Sequence, residues 1–165
     1  MFVFLILLPA HVLPAPQHTL RKYPDDRHPV TWKIRAVMHG KNKATILVTA
    51  KIAFGWHIYS SEMENVGPLP TQIRLNTDNS WSSNQPLRES GSPVQYFDST
   101  YMIRIAWFED SVTFSKSIRL HKNNTVLSGE ITFMACKEDL CLPPERYPFK
   151  LALATPARPR KKDRP

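Results

Sequence analysis

The sequence of 165 residues contains two cysteines and five glycines, and it lacks three patterns that would each indicate a class of protein. No long stretch has the hydrophobic period of a helix, so a helical fold is not expected. Beyond residues 2–15, no run approaches the roughly 20 apolar residues that a membrane-spanning helix needs. Without a second Cys or His pair at metal-binding spacing, a closed four-ligand zinc site is excluded.

Positive charge is concentrated at the C-terminus. The formal net charge is +8, and residues 158–164 carry five Lys or Arg against one Asp, which accounts for +4 of it. The rest of the chain is only mildly basic and has no basic stripe interleaved with aromatic residues, which argues against nucleic-acid binding. We interpret residues 155–165 as a basic disordered tail that can touch anionic lipid or envelope polymer.

Residues 2–15 form an apolar run that is too short and too interrupted by proline to span a bilayer. We interpret residues 1–15 as an export signal, with a short apolar anchor as the alternative, because no Lys or Arg precedes the run and Pro16 follows Ala15. An exported protein meets an oxidising compartment, in which disulfides can persist. Residues 16–29, rich in proline, histidine and charge, are interpreted as a linker.

Residues 30–154 have the pattern of short strands separated by turns, and the 42% hydrophobic content is enough for the core of one domain. Alternation from Val30 to Ile34 and a β-branched run at 44–53, joined by a turn at 39–42, predict a hairpin. Past Gly55 the second strand is expected to continue, with His57 and Tyr59 on one face.

Further strands are predicted at residues 71–75, 102–108, 111–120, 126–135 and 146–154. Residues 76–95 are predicted to be a polar loop. Seven or eight short strands without a helical period indicate an all-β fold, an immunoglobulin-like antiparallel β-sandwich. The Cys…Trp…Cys spacing of antibody domains is absent.

Both cysteines lie in the segment 136–141, a close pair that can form a local staple, a metal clip or a redox couple. As a staple, a ring of this size adds only about 2 kcal/mol, against about 5–15 kcal/mol for a whole domain. As a metal clip, the pair would need further soft ligands for copper. The residues available for that site are His57, Met102 and Met134.

The redox interpretation fits the pair better, because a four-residue spacer lets the two sulfurs join or part with little movement elsewhere. Strand alternation places Met134 and Cys136 on the face opposite to Ala135. Cys136 then ends a strand, and prolines directly after Cys141 interrupt any regular ladder, so the pair is expected at a rim that a partner can reach.

Charge near the cysteine pair affects its reactivity. Glu138 and Asp139 lie inside the ring, and nearby carboxylates oppose thiolate formation, an effect that Lys137 offsets only in part. The thiols are therefore expected to be slow general nucleophiles, better suited to exchange with a docked, dedicated partner.

Three segments together resemble the N-terminal periplasmic domain of DsbD, the bacterial thiol:disulfide interchange protein. They are Cys-x4-Cys-Leu-Pro-Pro at 136–144 after a Gly-Glu-Ile-Thr-Phe strand at 129–133, Gly-Trp-His-Ile-Tyr-Ser at 55–60, and Gly-Pro-Leu-Pro-Thr at 67–71. The resemblance covers about residues 30–154. It implies an immunoglobulin-like domain that takes electrons through its cysteine pair from the membrane and thioredoxin-like parts of DsbD.

The resemblance also implies where the electrons go, namely to periplasmic disulfide isomerases and to the thioredoxins of cytochrome c maturation. We therefore expect a periplasmic, monomeric relay without a bound cofactor, a component of thiol–disulfide oxidoreductase chemistry whose partners are thioredoxin-fold proteins. The chain ends at Pro165, so a separate membrane electron-transfer protein is expected to reduce it. The rival hypothesis is a non-enzymatic envelope binding module with a structural disulfide.

The family pattern implies roles for individual residues. Cys136 and Cys141 are expected to form the redox-active disulfide, with Cys141 joined to partners in the mixed disulfide and Cys136 resolving it. An aromatic cap over the disulfide is expected from Tyr101, with Phe97 second.

Three further residues are assigned by the same resemblance. Asp98, in the loop that carries the cap, is expected either to raise the pKa of the thiols from across the loop or to be a solvated turn residue. His57 and Tyr59 are expected to line the site.

Overall fold

The computed structural model describes residues 27–64, 67–99, 102–122, 125–138 and 140–153, and its regular structure is entirely β. The strands are β1 Val30–Met38, β2 Lys43–Ile52, β3 His57–Tyr59, β4 Gln72–Leu75, β5 Trp81–Ser82, β6 Arg88–Ser90, β7 Val94–Asp98, β8 Ile103–Phe108, β9 Ser111–Leu120, β10 Thr125–Phe133, β11 Ala135–Lys137, β12 Leu140–Cys141 and β13 Glu145–Leu153. Within these described ranges, no helix is long and apolar enough to cross a membrane. The interpreted export signal and basic tail lie outside them.

The strands form three antiparallel sheets. The first sheet has the order β1-β2-β9-β5, and β6 also pairs with β9. The second sheet has the order β13-β10-β4, and the third sheet has the order β12-β11-β3-β8-β7. Side chains of all three sheets meet in a single hydrophobic core, so the all-β antiparallel sandwich predicted from the sequence is confirmed.

The predicted N-terminal hairpin is present, because β1 and β2 pair along their whole length, from Val30 opposite Ile52 to Met38 opposite Ala44. Alternate residues of β2 are buried, as the period of a half-buried strand requires. Trp32 of β1 packs between Phe114 of the first sheet and Phe133 of the second, at ring-centroid distances of 6.2 and 5.1 Å.

Two of the strand predictions were wrong. The segment after Gly55 does not continue β2, because a turn with Gly55 at φ +80° carries the chain out of the first sheet, and β3 joins the third. Residues 76–95 are not a continuous loop, since they contain β5, β6 and the start of β7. These strands have five residues or fewer, too short for hydrophobic alternation to reveal them.

The predicted strand at 126–135 is divided at Met134. β10 ends at Phe133 in the second sheet, and β11 begins at Ala135 in the third. Ala135 and Cys136 are both buried after the break, but only Ala135 belongs to the hydrophobic core, as the predicted alternation requires. The break directs the chain from the centre of one sheet into the sheet that holds the cysteines.

Gly129 occupies the centre of the second sheet, opposite Leu75 of β4 and Phe149 of β13. A Cβ atom there would lie 2.5 Å from the backbone oxygen of Arg74 and 2.8 Å from a ring carbon of Phe149. Because a backbone atom cannot move aside as a flexible side chain can, the close approach of β4 requires glycine at this position.

We predict that Gly129→Ala destabilises the domain by about 1–3 kcal/mol, the usual range for overpacking a well-packed site. The midpoint of urea unfolding measures the change. Glu130→Ala on the same strand, at a partly exposed position, is the control and should change the midpoint far less. An unchanged midpoint for Gly129→Ala would show that β4 does not approach β10 this closely.

Candidate functional site

The two cysteines form a disulfide across a tight hairpin. Cys136 of β11 and Cys141 of β12 are directly opposite, with Cα atoms 4.1 Å apart and sulfurs bonded at 2.04 Å. The backbone N–H of Leu142 donates a hydrogen bond of 2.9 Å to the carbonyl of Ala135, which closes the hairpin. The disulfide and the hydrogen bond thus both lie within one hairpin, and neither links distant parts of the chain.

The two cysteine residues differ in their exposure to solvent. Cys136 is 0% exposed, whereas Cys141 is exposed on β12, the edge strand of the third sheet. The neighbouring Leu140 is 59% exposed, and Pro143 and Pro144, without backbone donors, follow the strand. A partner can therefore approach Cys141 along the edge, while Cys136 is shielded; the predicted accessible rim applies to one cysteine only.

His57 lies directly beside Cys136. β3 pairs with β11 so that His57 is opposite Cys136 and Ile58 is opposite Ala135. Ile58 and Ala135 are buried in the hydrophobic core. Because directly opposite residues project to the same face of a sheet, His57, Cys136 and Cys141 form a row across three strands on the other face.

Aromatic side chains surround His57. Its Nε2 lies 3.3 Å from the hydroxyl of Tyr59, as expected if the two residues share a face. Its ring centroid lies 5.3 Å from that of Tyr59 and 5.4 Å from that of Trp107. The indole Nε1 of Trp107 in turn donates a hydrogen bond of 3.1 Å to Oε1 of Glu109.

Burial shifts the titration of both predicted lining residues. Desolvation lowers the pKa of His57 from 6.5, and the negative charge of Glu109 opposes that shift. Desolvation also raises the pKa of Tyr59 above 10.0. At neutral pH, therefore, the imidazole and the phenol beside the disulfide are both uncharged for most of the time.

Two residues of the predicted cap loop, Phe97 and Asp98, lie at the other edge of the third sheet. Phe97 and Asp98 belong to β7, and three strands separate β7 from β12. Phe97 is 47% exposed and lies opposite Arg104 of β8. Arg104 is five residues before Glu109, the residue opposite His57, and five residues of extended strand span about 17 Å. Tyr101 lies outside the described residues, and the cap stays a prediction.

The alternative copper ligands are not gathered at one point in the described structure. Met134 lies at the break before β11, near the cysteines. Met102 is 72% exposed and lies just before the first residue of β8. The other end of β8 is the one that pairs with β3, next to His57, so the length of the strand, roughly 20 Å, separates Met102 from His57. Among the described residues, no group of three His, Cys, Asp or Glu side chains could hold a metal ion.

Sequence reasoning missed Trp107 and Glu109 as neighbours of the site. β3 pairs with β8 so that Tyr59 is opposite Trp107 and Ile58 is opposite Phe108, and continuing this register by one residue brings Glu109 opposite His57. The alternation in Trp-Phe-Glu shows which residues share a face. It does not show which strand lies beside them, so only the pairing could identify these residues.

Similarity to known proteins comes from a family model and from solved structures. The family model described as thiol:disulfide interchange protein DsbD, N-terminal, matches residues 28–153. Among curated proteins, no sequence matches the chain.

Similar solved structures include the following three. The N-terminal periplasmic domain of ScsB from Proteus mirabilis has 19% identity and a TM-score of 0.53, covering 88% of this chain and 52% of that one, so this chain spans about half of that structure. The reduced DsbD n-terminal domain of Neisseria meningitidis has 13% identity and a TM-score of 0.48. The match covers 74% of this chain and 86% of that one. The complex between the DsbD N-terminal and PilB N-terminal domains of that organism has 14% identity and a TM-score of 0.46. The match covers 79% of this chain and 89% of that one.

We predict that Glu109→Gln lowers the pKa of His57 further. The carboxylate raises this pKa, so removing its charge leaves desolvation less opposed, whereas the amide oxygen can still accept from Trp107. NMR titration of the His57 ring protons measures the shift. Asp110→Asn, which removes the adjacent charge, is the control, and an unchanged or raised pKa in Glu109→Gln would contradict the assigned contact.

Proposed function

The chain belongs to the family of N-terminal domains of the thiol:disulfide interchange protein DsbD, and we propose that it relays reducing equivalents through Cys136 and Cys141. The family supports a role in disulfide exchange. The relay, its direction and the role of each sulfur are our proposal.

The observation that carries the proposal is the unequal burial of the two cysteine residues. Cys141 is exposed on an edge strand and Cys136 is fully buried one strand further in. An exchange disulfide needs one sulfur that a partner can reach and a second that resolves the mixed disulfide. A mixed disulfide with a protein partner therefore forms at Cys141, and Cys136 resolves it.

The chemistry of one turnover balances with two electrons. In the reduced domain, the thiolate of Cys141 attacks a disulfide of the partner, forms a Cys141–partner bond and releases one partner thiolate. Cys136 then attacks the sulfur of Cys141, which breaks the bond to the partner and releases the second thiolate. The partner has gained two electrons, and the domain has become the disulfide seen in the structure.

The domain is proposed to act in the periplasm with two kinds of partner. Thioredoxin-fold proteins would receive the electrons, and a membrane electron-transfer protein would reduce the domain again. The sulfurs undergo this exchange without a bound cofactor. A monomer is sufficient for the relay, because both cysteines come from one hairpin.

The competing function is a binding module in which the disulfide is a structural staple. A ring of this size supplies only about 2 kcal/mol. The hairpin is also closed by a backbone hydrogen bond and by the pairing of β11 with β3. Because the bridge adds little to contacts that already fix the hairpin, the structure favours the relay.

We predict that Cys136→Ala converts the domain into a trap. Cys141 can still attack a partner disulfide, but the buried sulfur that would release the partner is absent, so the mixed disulfide accumulates. Alanine suits this site because a buried serine hydroxyl would need a hydrogen-bond partner. Non-reducing gel electrophoresis with an oxidised thioredoxin-fold protein detects the complex.

Cys141→Ala is the matched control for the trap, since it keeps one thiol in the same hairpin but leaves only the shielded sulfur. We expect it to form no stable complex. Equal trapping by both variants, or trapping by neither, would contradict the assigned roles of the two sulfurs.

We also predict that the disulfide has a reduction potential above about −300 mV, the value below which structural bridges typically lie. Equilibration with glutathione or dithiothreitol, followed by quenching and mass spectrometry, measures it. Urea unfolding of the reduced and oxidised forms gives an independent reading, because a relay disulfide should change stability little. A potential well below −300 mV would favour the binding module.

A further inference from the structure

We propose that His57 is the proton acceptor for Cys136 in the step that closes the disulfide and releases the partner. The inference rests on the proposed thiol exchange and assigns a chemical role to a side chain that had been expected only to line the site. It follows from the pairing of three strands and from the burial of one sulfur.

Cys136 requires an internal base. A thiol must lose its proton before it attacks, because the thiolate is the nucleophile. Cys136 is 0% exposed, so water does not reach it freely, and burial in apolar surroundings opposes the loss of the proton. A neighbouring side chain that takes the proton removes this obstacle.

The position of His57 suits that task. It is the direct cross-strand partner of Cys136, so the two Cβ atoms are expected about 4.5–5.5 Å apart on one face. Cys141 lies on the other side of Cys136 in the same row. The thiol of Cys136 therefore has the sulfur that it attacks on one side and the imidazole on the other.

The other titratable groups around His57 are less suited. Tyr59 of β3 is a weak acid whose pKa is raised by burial, so its phenol keeps its own proton. Glu109, after β8, accepts a hydrogen bond from the Trp107 indole. On β11, Lys137 carries a positive charge and follows Cys136 by one residue, so alternation sends it to the opposite face.

We assign to the neutral ring the tautomer in which Nε2 carries the hydrogen and contacts the Tyr59 hydroxyl. When Nε2–H donates to the hydroxyl of Tyr59, at 3.3 Å, the lone pair lies on Nδ1. Nδ1 takes the proton of Cys136, and the charge of Glu109 favours the resulting imidazolium. A lowered pKa keeps the ring unprotonated, and therefore ready to accept, at neutral pH.

The step balances. The S–H bond of Cys136 breaks and an N–H bond forms on His57, the Cys136 thiolate then attacks the sulfur of Cys141, and the bond from Cys141 to the partner breaks. The leaving partner thiolate takes the proton from His57. The imidazole returns to its neutral form, and no proton is lost or gained overall.

The test uses 5,5′-dithiobis(2-nitrobenzoate) as a chromogenic disulfide in place of a protein partner. Reduced wild-type protein mixed with excess reagent releases one thionitrobenzoate as the mixed disulfide forms on Cys141. It releases a second as Cys136 closes the bridge. The second phase is intramolecular, so its rate does not depend on reagent concentration, and stopped-flow absorbance isolates it over pH 5–10.

His57→Gln and His57→Phe are compared with wild type. We expect both variants to slow the second phase about 100-fold at pH 7, the lower end of the usual contribution of a general base. The difference should shrink at alkaline pH, where hydroxide deprotonates the thiol, and the inflection due to His57 should be absent from both profiles. His39→Gln, on the turn before β2, is the control and should leave the rate unchanged.

Three outcomes would overturn the inference. The first is a second phase within twofold of wild type in both variants. The second is loss of rate in His57→Phe alone, which would indicate a packing or hydrogen-bonding role that glutamine restores. The third is a wild-type protein that never releases the second thionitrobenzoate; this result removes the proposed relay itself and is distinct from the other two.

Discussion

The register of β11 is the constraint on which the site depends. This strand of three residues lies between β3 and β12, and its pairing places Cys136 between His57 and Cys141. A slip of one residue would turn Cys136 towards the core and bring Lys137 to the face where the sulfur now lies. Ala135 packs in the hydrophobic core, and the slip would remove it from the core, so its burial opposes the slip.

The unequal burial of the two sulfurs follows from where each strand lies in the sheet. β11 has a neighbouring strand on both sides, and Cys136 on it is 0% exposed. β12 is the edge strand in the described structure, and the prolines after it cannot extend the ladder. A cross-strand disulfide at the end of a sheet thus joins one shielded and one exposed cysteine.

Much of the fold could be predicted because its longest strands alternate clearly. β2 carries a buried residue at every second position, in β1 buried or half-buried residues alternate with exposed ones, and the turn between the two strands is polar. The path after Gly55 could not be predicted, since periodicity identifies a strand but not the sheet that it joins. The break at Met134 was hidden for a related reason, because apolar residues lie on both sides of it and no proline or glycine marks it.

The site was predictable in its cysteines and not in its surroundings. The spacing of the two cysteines and the prolines that follow is local in sequence, so it could be interpreted directly. Trp107 and Glu109 come to His57 through the pairing of β3 with β8, across about fifty residues of chain. The pairing of β7 with β8 places Phe97 opposite Arg104, far along the sheet from Glu109, and sequence alone could not reveal this position.

The absence of helices from the described residues limits how the thiols can be activated. Many reactive cysteines owe a low pKa to the N-terminus of a helix, and no helix lies in the described part of this chain. Activation must then come from side chains on neighbouring strands or from the docked partner. Because Glu138 lies in the hairpin and opposes thiolate formation, the reduced pair should react slowly with unrelated disulfides. Selectivity would then come from docking, for which the exposed Leu140 beside Cys141 offers an apolar contact at the sheet edge.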